Sequence, residues 1–117
     1  AQGFMPRTLS TDYVEPPGGG GRPRPHMPDL ISKYVTFGMS LEDAVAAGTS
    51  RPAAVLGLEK EIGSLGVGMD GDAAVLERQV EPHTFDDGRG NPVEVAGNTR
   101  LVAALTVRLG EVVWRKG

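Results

Sequence analysis

PDLISKYVTFGMSLEDAVAAGTSRPAAVLGL, residues 28–58, contains three successive helix signatures separated by glycines. Pro28 suits a first helical position, Leu30, Ile31, Tyr34 and Val35 fall on one face, and Gly38 can supply a left-handed stop. Ser40 followed by Asp43 is a near capping box. The helix it starts turns Leu41, Ala44 and Val45 inward and ends at Gly48. A third helix is predicted from about residue 50 to 56, with Pro52 tolerated in its first turn and Gly57 as its stop.

Upstream, MPRTLST at residues 5–11 carries Thr8, Leu9 and Thr11 and predicts a strand. Between Pro16 and Pro28 every residue except Arg22, Arg24, His26 and Met27 is Gly or Pro, so neither helix nor ladder persists there. A loop of that length inside a domain suggests a task such as covering a site. Downstream of Gly63 the period turns extended. Gly66, Gly68 and Gly71 mark turns, and residues 73–76 form a strand. Residues 84–85 and 93–95 flank a turn at 86–91, while 101–109 and 112–114 flank a tight turn at Gly110 and Glu111. About four strands result, with no internal repeat, and their two open edges call for partners outside these residues.

Composition narrows the class. The 117 residues, 39% hydrophobic and 23% charged, fit one ordinary domain but not a complete α/β barrel of about 250 residues. Twelve basic against fifteen acidic side chains leave a net charge of -3 and no basic stripe, which argues against nucleic acid as a partner. No apolar run approaches the ~20 residues of a membrane helix, and residues 1–9 lack the charged start and apolar core of a signal peptide. A cytoplasmic protein without membrane attachment is expected. With no cysteine, disulfides, thiolate metal sites and a cysteine nucleophile are excluded, so a metal would sit on His, Asp or Glu. Six aromatic residues against 17 glycines and 9 prolines are thin core material, and the segment alone should be marginally stable.

Among residues able to carry chemistry, Asp12 stands where the expected strand meets the Gly/Pro loop, the place where barrel enzymes put catalytic groups. On spacing alone, a simple turn is the favoured reading of Asp12. Asp70 and Asp72 (MDGDA) are paired carboxylates in a Gly-rich turn and read as a solvated hairpin connection. Glu59 and Glu61 around Lys60 read as surface. His26 in the loop and His83 in the β region have no second histidine at metal-ligand spacing, although His26 is placed to reach a ligand bound near Asp12. The four glycines at 18–21 lack the strand, the spacing and the Lys of a phosphate-binding loop. Ser10 and Ser32 lack the GxSxG elbow of an exposed nucleophile.

In order, LSTD at 9–12, the stretch at 28–58 and IGSLGVGMDGDAAVL at 62–76 resemble the C-terminal third of the amidohydrolase superfamily, above all its amidohydrolase/deacetylase branch, relatives of dihydroorotases and D-aminoacylases. The resemblance covers residues 6–76, with a weaker echo in LTVRLGEVV at 105–113. It implies an α/β fold: the last strand and closing helices of a TIM-barrel metallohydrolase, then the C-terminal strands of a small β-sandwich. Residues 1–60 would belong to the barrel and 61–117 to the sandwich. Asp12 then matches the aspartate that ends the last barrel strand, a metal ligand and proton shuttle. Beside one or two divalent ions, zinc above all, it would take the proton of metal-activated water and pass it to the leaving group. The substrate would be a small molecule carrying an amide or other C–N bond, or an acyl ester.

The family's HxH pair, lysine and mid-barrel histidines have no counterpart in these residues, and one aspartate cannot hold a catalytic zinc, which takes about three protein ligands. The missing N-terminal part of the same fold is therefore the expected partner, and the segment alone is expected to be inactive. The lack of Met at position 1 points the same way. Whether the parent forms homo-oligomers stays open. Residues 14–27 depart from the family's loop, so no substrate contact is transferred, and Gly71 stands where alanine is common. The competing reading is a non-catalytic helix-plus-β interaction module that uses the Gly/Pro loop for contact. A urease-accessory or deaminase-type relative is a third.

Overall fold

A computed structural model describes residues 5–11, 17–18, 26–86, 92–95 and 99–117, with the backbone alone described at 83–86 and 92–95. Three helices, α1 (Met27–Thr36), α2 (Leu41–Gly48) and α3 (Ser50–Val55), precede β1 (Ala73–Val80), β2 (His83–Asp86), β3 (Pro92–Val95), β4 (Thr99–Arg108) and β5 (Glu111–Arg115). The strands form two antiparallel sheets, β1-β4-β5 and the hairpin β2-β3, so the described architecture is α/β with a three-stranded antiparallel sheet.

The helix ends follow the expected chemistry. After α1, Gly38 at φ 110 lets its own N–H reach Val35 O at 3.1 Å and the Met39 N–H reach Tyr34 O at 3.0 Å. α3 ends the same way: with Gly57 at φ 73, the Gly57 N–H meets Ala54 O at 3.1 Å and the Leu58 N–H meets Ala53 O at 2.8 Å. Both are Schellman motifs, in which a left-handed residue satisfies the last carbonyls of the helix. Ser40 caps α2, its Oγ accepting the Asp43 N–H at 3.1 Å.

Helices and sheet share one apolar cluster of Ile31, Met39, Ala44 and Leu101, bordered by half-buried Met27, Tyr34 and Leu76. Next to Ile31 on α1, Ser32 is fully buried. Its Oγ donates to Pro28 O at 2.6 Å and accepts the Leu101 N–H of β4 at 2.8 Å. That bond ties helix to sheet where no ladder can.

Three expectations are corrected. Residues 5–11 form no strand among the described residues: the Leu9 N–H donates to Ala47 O of α2 at 2.8 Å, and no extended neighbour offers a ladder. β1 runs on past Leu76 to Val80, because Glu77, Arg78 and Gln79 pair with Val102, Leu101 and Arg100. The last turn is centred on Leu109 and Gly110, at φ 48 and 81, with Arg108 opposite Glu111. Two positive φ values in a two-residue loop belong to the primed turns that match strand twist. The β2-β3 hairpin pairs His83–Asp86 with Pro92–Val95, as the sequence suggests.

Candidate functional site

Asp12 lies outside the described residues, so the site is built from the segment that leads into it. Leu9 is buried, and its N–H is held by α2. Two residues earlier, Arg51 of α3 reaches the same segment. Its Nη2 donates to Asp43 Oδ1 at 2.9 Å, and its Nη1 lies 3.5 Å from Arg7 O, at the long limit of a hydrogen bond. Met5, Arg7, Met39, Ser40, Asp43 and Arg51 line an open groove of about 410 Å³ between this segment and α2.

His26 is exposed at the N-cap position of α1, without a side-chain cap; its carbonyl accepts the N–H groups of Asp29 and Leu30 at 3.1 and 3.2 Å. It borders a second groove with Asp29, Arg100, Thr106 and Trp114. There Arg100 Nε sits 3.5 Å from Asp29 Oδ1, close enough for charge compensation, yet this buried nitrogen makes no hydrogen bond among the described residues.

The remaining candidates have structural work or none. Asp72 Oδ1 accepts the Leu109 N–H at 2.9 Å, and Gly71 O accepts the Gly110 N–H at 2.7 Å, so the MDGD turn is clamped to the β4-β5 turn. A Cβ at Gly71 would stand 2.7 Å from Gly110 N, which explains glycine there. Asp70 is exposed, as are Glu59, Lys60 and Glu61. The Ser32 hydroxyl is occupied as donor and acceptor in the core. The His83 side chain and most of the four-glycine run lie outside the described residues.

Sequence reading missed the Asp43–Arg51 pair and the role of Ser32. The first spans a helix break, where helical spacing offers no guide. The second left a faint trace, a serine beside Ile31 on an apolar face. No group of three or more His, Asp or Glu able to hold a metal occurs among the described residues. They do not by themselves fit the divalent ion that the resemblance implies.

Solved structures with a similar fold include an adenine deaminase and an amidohydrolase. A crystal structure of an adenine deaminase superposes with a TM-score of 0.66 and 20% identity, over 76% of this chain and 23% of its own. An amidohydrolase from Thermotoga maritima MSB8 gives 0.51 and 23% identity, over 77% of this chain and 19% of its own. The chain thus spans about a fifth of each of these proteins. No curated protein matches it. A sequence model of the amidohydrolase family matches residues 34–114, well over half of the chain, from the last turn of α1 into β5. The chain belongs to the amidohydrolase family.

Proposed function

We propose that these residues are the C-terminal part of a metal-dependent hydrolase that cleaves a C–N bond, or an acyl ester, in a small molecule, within the deacetylase branch of the family. The observation that carries this is the family match across residues 34–114, which spans both helical and β regions. Residues 1–60 are assigned to the closing end of the barrel and 61–117 to its β-sandwich. Residues 6–11, which form no strand among the described residues, are assigned the place of the last barrel strand on the resemblance alone.

In this reading Asp12, next in the chain after Thr11, is the one catalytic residue assigned here and one ligand of the metal. With its other ligands contributed from outside these residues, the ion, zinc in the first instance, would supply Lewis-acid activation of water, and the role assigned to the Asp12 carboxylate is to accept a proton and return it to the leaving group. His26 at the mouth of α1 is assigned to the substrate side.

Turnover by the complete enzyme, measured against N-acetyl amino acids, cyclic ureides, simple acyl esters and adenine, tests the proposal. Adenine is included because the deaminase shares the fold. Hydrolysis of one class that stops on chelation and returns with zinc is expected. If no class is turned over by zinc-loaded enzyme, the non-catalytic helix-plus-β module takes its place.

A further inference from the structure

Residues 5–11 touch the helices at two backbone points. The Leu9 N–H is bound to Ala47 O at 2.8 Å, and the Arg7 carbonyl faces Arg51 Nη1 at 3.5 Å. Arg7 sits at a bend, and the two contacts on either side of Thr8 both go to the helices, one to α2 and one to α3. Arg51 is itself braced: Nη2 meets Asp43 Oδ1 at 2.9 Å, and Asp43 is fixed through its own N–H by the Ser40 cap at 3.1 Å. A planar guanidinium can hold a carboxylate and a carbonyl at once, which an ammonium on a flexible stem cannot do in the same geometry.

We propose that Arg51 is a positioning residue: braced on Asp43, its guanidinium holds the stretch from Arg7 to Leu9 against α2 and α3, on the approach of the chain to Asp12. This rests on the reading of Asp12 as the catalytic carboxylate. Arg7 precedes Asp12 by five residues, so the clamp acts through the chain and touches no reacting group.

The ordinary alternative is an exposed ion pair, since the two side chains are 31% and 59% accessible and such pairs contribute little to stability. The two readings predict different patterns. In the complete enzyme, Arg51→Ala should raise amide exchange of the peptide covering residues 5–11 by about tenfold, with α1 and β4 unchanged and Tm moved by less than about 2 °C. Its kcat on the substrate found above should fall about 10- to 100-fold with KM within about twofold. Arg51→Lys, which keeps a charge for Asp43 but lacks the second prong, should restore Tm and leave exchange and kcat at the alanine level. Wild-type exchange in residues 5–11 of Arg51→Ala, or full recovery of exchange and kcat by lysine, overturns the proposal. Asp12→Asn in parallel separates the two readings: unchanged turnover in that variant removes the catalytic role of Asp12, while the exchange data still decide whether Arg51 holds the segment.

Discussion

Replacing Ser32 with alanine tests how the helices are joined to the sheet. The hydroxyl is fully buried, accepts the Leu101 N–H at 2.8 Å and donates to Pro28 O at 2.6 Å. Pro28 O keeps the helical N–H four residues on, so its loss is small. The Leu101 N–H has no such substitute. A buried donor left without a partner costs about 1–3 kcal/mol, and at about 2 kcal/mol the opening equilibrium shifts by roughly 30-fold. Ser64 provides the control, since its Oγ accepts the Gly66 N–H at 3.3 Å in an exposed turn where water can replace it. Urea unfolding combined with exchange at the Leu101 amide should show Ser32→Ala destabilised within that range and Ser64→Ala within about 0.5 kcal/mol of wild type. Equal effects of the two substitutions would refute the reasoning, because burial would then not matter.

Leu109 holds φ 48 while 64% exposed, so Leu109→Asn should stabilise the β4-β5 hairpin by about 0.5–1 kcal/mol, read from urea midpoints; a loss of stability would contradict the turn assignment. Gly63 has φ +92, and an added Cβ would stand 2.7 Å from Ala53 Cβ and 3.0 Å from Thr49 O. Gly63→Ala should therefore cost about 1–3 kcal/mol, and a change below about 0.5 kcal/mol would mean that the contact with α3 is not held in solution.

What the sequence could reveal depended on whether a local device marked it. Gly38, Gly57 and Ser40 each satisfy orphan groups at a helix end by local geometry, and each was readable. The final turn was displaced by one residue because a leucine, not a glycine, takes its first left-handed position. The second half of β1 was hidden because Glu77 and Arg78 are exposed and polar, and only pairing with Leu101 and Val102 makes them a strand. The same limit applies to the site. Asp12 was singled out by a family-like order of motifs, whereas the Asp43–Arg51 brace arises from the crossing of α2 and α3, which no spacing within either helix encodes.

The role proposed for the Asp12 carboxylate, carrying the proton in a metal-assisted hydrolysis, is tested most directly by the single-turnover rate of zinc-loaded complete enzyme with Asp12→Asn, metal content being measured on the same sample. The account predicts a drop of about 10²- to 10⁴-fold with metal still measurable. Turnover within about twofold of wild type at equal metal content would contradict it.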